Sequence, residues 1–221
     1  MAKQRMVNLF FKYWNDAKQF VSSMEINDVY GLNVIYDKQF DLMINIIDTK
    51  NISLDIDELI KNMILAIVDE INEFSEWDTS SEPKLYSDIE EFFELIDILH
   101  FIIQLDILAY AKYLNMNLDD IRNNKNKILH HIIPDIEDFE ISDLFYTEHD
   151  LIQQLSYILE YLPWKHWKTY EKFDYTGLKS EINAFLAKLI CMMESYVHSE
   201  DILAGYIIKN YENFQRQLNG Y

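Results

Sequence analysis

At 221 residues the chain can bury one substantial hydrophobic core or two small ones. Its 38 Asp and Glu against 19 Lys and Arg give a net charge of −19, a balance that repels nucleic acid and anionic membranes. With 49% hydrophobic residues but only 4 Gly and 3 Pro, turn-formers are scarce, and an all-α chain of long helices with short connections is expected.

No charge-free apolar run approaches the roughly 20 residues of a membrane span, and the opening Met-Ala-Lys-Gln-Arg is not followed by a signal-peptide core. The single cysteine, Cys191, has no partner for an internal disulfide and lies in an apolar run, so a reducing, cytoplasmic setting is expected.

The first helix is expected over residues 6–24, with Leu9, Phe10, Tyr13, Trp14 and Phe20. Phe10, Phe11, Tyr13 and Trp14 cluster there and offer more apolar surface than a free amphipathic helix should expose. A second helix, residues 36–47, carries Leu42, Met43, Ile46 and Ile47 around Gln39. The Gln39 amide donates and accepts together, as reading a nucleobase edge requires; on periodicity alone an exposed helix glutamine is the plainer alternative.

Ser53 reads as an N-cap, followed by Asp55, Asp57 and Glu58 where the helix dipole favours negative charge. That helix runs to about residue 77 and sets Glu70 and Glu73 one turn apart, opposite Ile64, Ile67, Val68 and Ile71. After a loop at residues 79–83, the next helix spans about 87–114. Glu94, Asp97, His100 and Gln104 form one stripe along it, and the apolar run from Phe92 to Leu108 covers the rest. A helix this apolar is buried, and its acids with it. An unpaired buried carboxylate either destabilises the fold by several kcal/mol or gives up its charge, so something cationic should meet the stripe. If the two helices pack side by side, four carboxylates enter one pocket. Such an all-oxygen site suits Mg²⁺, or Mn²⁺ in its place, rather than zinc or copper.

Asn117-Leu118-Asp119-Asp120 opens a shorter helix that stops before Pro134, and the acidic, patternless residues 134–145 read as a linker. Helical pattern returns at 151–162 and 178–197, separated by the aromatic and basic turn Pro163-Trp164-Lys165-His166-Trp167-Lys168, and residues 199–218 close the chain. Lys209, Asn213 and Arg216 share one face of this last helix and can grip phosphate oxygens; a solvated basic face is the alternative.

The chain reads as a single domain with two pseudo-repeated halves, about 36–133 and 146–221, after the first helix. Trp164 follows Trp77 by 87 positions, and the same offset carries Glu70, Glu73, Glu94 and Asp97 onto Tyr157, Glu160, Glu181 and Ala184. Two of the four acids are missing there, so one site is expected in the first half and none in the second. A carboxylate-bridged di-iron bundle needs Glu-x-x-His elements, and no Glu here has a His three residues later.

Glu70-x-x-Glu73 followed by Glu94-Leu-Ile-Asp97-Ile-Leu-His100-Phe101 resembles the metal motif of the all-α nucleoside triphosphate pyrophosphatases, specifically the dimeric dUTPase family. The closing Lys209-Asn210-Tyr-Glu-Asn213-Phe-Gln-Arg216-Gln217-Leu-Asn-Gly220-Tyr221 is similar to that family's C-terminal signature, and Gln39 fits its base-reading helix. The resemblance implies a helical bundle of that type, a homodimer, and hydrolysis of dUTP, and often dUDP, to dUMP. It assigns Mg²⁺ and catalysis to Glu70, Glu73, Glu94 and Asp97, and substrate contacts to Gln39, Trp77, His100, Lys209, Asn213, Arg216 and Tyr221. The sequence departs from the relatives at Met43, where they often carry Asn or Asp, and in the Trp-Lys-x-Trp-Lys element that they commonly place shortly after the Glu-x-x-Glu helix: only Trp77 follows that helix here, while Trp164-Lys165-His166-Trp167-Lys168 lies in the second half. A sister specificity such as dCTP, or a non-catalytic interaction protein of the same fold, therefore stays open.

Overall fold

The computed structural model describes residues 5–78, 83–134, 145–162 and 173–219. These form nine α-helices and one 3-10 turn, with no strand among them. Residues 79–82 of the loop expected at 79–83, residues 135–144 of the linker expected at 134–145 and the aromatic turn at 163–168 lie outside the described residues.

The organising element is α4 (Lys84–Tyr113), whose 30 residues extend about 45 Å at the α-helical rise. Its apolar side chains run around the full circumference, and a helix hydrophobic on every side is stable only when neighbours cover all of it. Here α1 (Arg5–Val21), α2 (Leu32–Thr49), α3 (Ile56–Asp78), α6 (Lys125–Ile132), α8 (Tyr175–Met193) and α9 (Ile202–Leu218) do so.

Pairing along α4 is fixed at both ends of α3. Near the C-terminus of α3, Trp77 donates its indole N–H to Glu94, and near the N-terminus Asp57 meets Lys112, so the two helices run antiparallel. In the second half α7 (Glu148–Tyr161) lies antiparallel to α8, with Lys188 over the Tyr146 ring just before α7 and Gln154 bonded to Glu181.

The helix boundaries depart in places from those the sequence predicts. Asp55, rather than Ser53, caps α3, its carboxylate accepting the Glu58 N–H at 2.8 Å. The helix expected from Asn117 does begin there, in a reciprocal capping box with Asp120, but it breaks at Asn124 into α5 (Leu118–Asn123) and α6. Asn124 sits at φ −121° and ψ 24°, off the helical region. Helix α8 ends at Met193, short of Val197, and Ser199–Asp201 is a 3-10 turn leading into α9.

Most of the aromatic cluster on α1, which is more apolar surface than a free helix should expose, is covered from within the chain. Val7, Phe10, Trp14, Ala17 and Val21 recur at helical spacing on one stripe against α4 and α9. Phe10 stacks on Trp14 at 4.5 Å and meets Phe93 at 6.5 Å, Trp14 meets Phe92 edge-on at 6.4 Å, and Tyr13 packs on Tyr211 at 5.9 Å. Phe11 and Phe20 remain exposed. No helix among the described residues is long and apolar enough to cross a membrane.

Helix α9 approaches α4 closely because it has no side chain at Gly205, where a Cβ would stand 2.4 Å from the buried Phe92 ring. Gly205→Ala should therefore destabilise the chain despite the better helix propensity of Ala. Overpacking costs about 1–3 kcal/mol against roughly 1 kcal/mol gained from the Gly replacement. A urea titration showing the variant more stable than the wild type would mean that Phe92 moves aside freely.

Candidate functional site

The acids of α3 and α4 meet as their spacing requires. Glu70, Glu73 and Glu94 each offer a carboxylate oxygen, and the three oxygens lie within 4.8 Å of one another. Glu73 is exposed, while Glu70 and Glu94 are partly covered. Trp77, buried at the end of α3, donates to Glu94 Oε1 at 3.1 Å and so fixes that carboxylate.

Asp97 is placed differently. Its Oδ2 lies 2.5 Å from Lys209 Nζ, which reaches in from α9 with a side chain only 6% exposed. The cation that the buried stripe requires is thus supplied by the chain itself. Lys209 is also 3.8 Å from Glu212 Oε2, and Arg216 Nη2 is 2.9 Å from Glu212 Oε1. The donor row expected to await phosphate is therefore engaged with acids, and the solvated-face alternative fails for Lys209 because it is buried. Asn213 lies between them on α9, half-buried.

Burial, with the crowding of negative charge behind it, sets the protonation of these acids. Burial, then Asp97 and Glu94 beside it, push the Glu70 carboxyl up to about 9. Burial raises Glu94 to about 7, with Lys209 pulling the other way. Burial opposes the charge on Lys209, but Asp97 and Glu212 more than offset that and hold its pKa above the ordinary value.

The sign of the resulting pH dependence follows directly. A carboxyl with a raised folded-state pKa binds its proton more tightly when folded, so its contribution is complete below the ordinary value near 4.5 and is lost as pH rises towards about 9. The melting temperature of the metal-free chain should accordingly fall between about pH 5 and pH 9, and Glu70→Gln should flatten the upper part of that decline. Thermal unfolding in the presence of a chelator reads this. Parallel curves for the two proteins would show that Glu70 is not the titrating group.

Gln39 and His100 meet around a third residue that the sequence reading did not select, Tyr206. The Tyr206 hydroxyl donates to Gln39 Oε1 at 2.8 Å, and its ring stacks on His100 with centroids 4.6 Å apart. Gln39 is fully buried, not an exposed helix glutamine, and its Nε2 has no hydrogen-bond partner among the described residues. His100 Nδ1 lies 2.8 Å from the Ile96 carbonyl oxygen, which can only accept, so Nδ1 is assigned the proton. Burial lowers the ring's pKa to about 4, so it is neutral at pH 7 and Nε2 keeps a lone pair without a partner. One unused donor and one unused acceptor therefore flank Tyr206.

Trp77 also borders a cleft of about 630 Å³ formed with Phe10, Phe92, Glu91 and Tyr196, in which the Tyr196 hydroxyl donates to Glu91 Oε2 at 2.6 Å. Tyr221 lies outside the described residues. Glu212 was missed although its spacing from Lys209 and Arg216, three and four residues, is that of helical ion pairs.

The corresponding positions in the second half have another character. Glu181 accepts from Gln154 Nε2 at 2.7 Å, and Gln154 Oε1 accepts from Lys188 at 2.7 Å, while Tyr157 and Glu160 face outward. Among the described residues, Glu70, Glu73 and Glu94 are the one set of three such groups close enough to share an ion. Comparison of the chain with protein-family models, with curated proteins and with solved structures gives no match.

Proposed function

We propose that this chain is a Mg²⁺-dependent pyrophosphohydrolase that converts a deoxyribonucleoside triphosphate, dUTP foremost, to the monophosphate, acting as a homodimer. The observation carrying the reading is the convergence of Glu70, Glu73 and Glu94 from two helices onto one point. Their donors are all carboxylate oxygens, the set that a hard divalent cation prefers. Mg²⁺ held there would supply a water of lowered pKa and screen phosphate charge.

The chain's own residues would do the rest. Glu70 and Glu94, both pushed upward in pKa, would release protons as the cation entered, and Trp77 would keep Glu94 oriented. Gln39 Nε2 would donate to a base carbonyl and His100 Nε2 would accept from a base N–H. Uracil, which carries a carbonyl beside its N3–H, answers this pair; cytosine answers it through N3 and its 4-amino group instead, so dCTP is the sister substrate. Arg216 would exchange Glu212 for phosphate oxygens through charge-assisted bonds.

The ion pairs of α9 support a second reading, a non-catalytic interaction protein of this fold, because Lys209 and Arg216 already have acidic partners. Pyrophosphate release over a panel of deoxyribonucleoside triphosphates, with Mg²⁺ and with chelator, separates the two. Metal-dependent release that is fastest with dUTP is the expected result. Release with no nucleotide in the panel would leave the interaction protein.

A further inference from the structure

Asp97 belongs by spacing to the acidic quartet, yet the three acids that converge do so without it. Its carboxylate faces Lys209 at 2.5 Å, and the pair is nearly closed to solvent, at 14% and 6% side-chain exposure. Glu212, one turn along α9, lies 3.8 Å from the ammonium and is itself engaged by Arg216. Lys209 is thus met by carboxylates of both α4 and α9.

We propose that Lys209 is a built-in counter-cation that withholds Asp97 from the quartet, so that the free chain takes its first divalent ion on Glu70, Glu73 and Glu94 alone. This rests on the metal reading above and adds to it an order of loading. Two opposite charges in contact largely cancel at the distance of a neighbouring ion, whereas a bare Asp97 would attract that ion and a bare Lys209 would repel it. Separating them in a buried place is strongly unfavourable unless each finds another partner, so the pair persists in the free chain.

The test counts ions rather than turnover. Mn²⁺ is titrated into the full, metal-free chain without nucleotide, and unbound Mn²⁺ is read by electron paramagnetic resonance. The wild type is expected to bind one ion. Lys209→Met, which leaves Asp97 to the ion, should bind Mn²⁺ at least about tenfold more tightly. The double variant Lys209→Met with Asp97→Asn contains no orphaned buried charge, so it reports even if the single variant fails to fold. It should bind within about threefold of the wild type, because a neutral pair has been exchanged for neutral groups. Unchanged affinity in Lys209→Met, or a loss beyond about tenfold in the double variant, would show that Asp97 is a ligand in the free chain and overturn the proposal. Failure of the wild type and both variants to bind Mn²⁺ would instead overturn the metal reading, and this order of loading with it.

Discussion

Glu94→Gln should lower turnover by two to three orders of magnitude or more, on the scale of removing a preorganised charge-stabilising group. The variant keeps an acceptor oxygen for the Trp77 indole, so the local geometry survives and the loss reports the missing charge. The metal-free variant should also be no less stable than the wild type at pH 8. Burial pushes Glu94 up to about 7 and the group is mostly ionised at that pH, so its replacement removes a poorly solvated charge and its repulsion with Asp97 and Glu73, which together outweigh the lost attraction of Lys209. Glu181→Gln is the matched control in the second hairpin, where Gln154 can still donate to the new side chain, and turnover should stay within a few-fold of wild type. Steady-state pyrophosphate release checks both. Full turnover by Glu94→Gln would remove the triad from the chemistry, and a severe loss in Glu181→Gln would move the site to the other hairpin.

The largest effect on stability is expected at Asp106, which lies on α4 well away from the triad. Its fully buried carboxylate accepts from Tyr36 at 2.9 Å, from Tyr175 at 2.8 Å and from Lys179 at 2.5 Å, tying α2 and α8 to α4. Lys179 also donates to the Ile132 carbonyl at the end of α6. Asp106→Ala orphans two buried hydroxyls and takes the counter-charge from the Lys179 ammonium at once, and the cost should reach about 3–5 kcal/mol. Asp106→Asn keeps one acceptor and should cost less, about 1–3 kcal/mol. Chemical denaturation measures both, and a loss below about 1 kcal/mol in the alanine variant would mean that the network rearranges around the gap.

What the sequence disclosed and what it hid follow from the range over which each signal acts. The course of α4 was legible because an apolar run of that length and periodicity admits few alternatives to a buried helix, and the convergence of Glu70, Glu73 and Glu94 follows once α3 lies against it. The need for a cation beside the acid stripe was legible as well, since it depends only on burial. Which cation answers Asp97 was not. Lys209 sits on a helix far along the chain, and nothing local to either residue encodes the pairing. Asp106 was hidden for a related reason: it lies off the stripe of Glu94, Asp97 and His100, and its three donors come from separate stretches of sequence. The break at Asn124 and the choice of Asp55 over Ser53 are decisions among near-equivalent local caps. That α1's aromatics need a cover was legible from their number; that α4 and α9 supply most of it was not, because those helices lie far along the chain.

The position of Lys209 also bears on how the chain is made. Translation delivers α4 well before α9, and at roughly 5–20 residues per second about ten seconds separate Asp97 from its lysine. During that interval the nascent hairpin of α3 and α4 carries an acid whose partner has yet to be made, and burying it unanswered is unfavourable until α9 arrives. A polypeptide stalled before α9 stays loose at the very helix around which everything else packs, and that is the form a quality-control protease would meet.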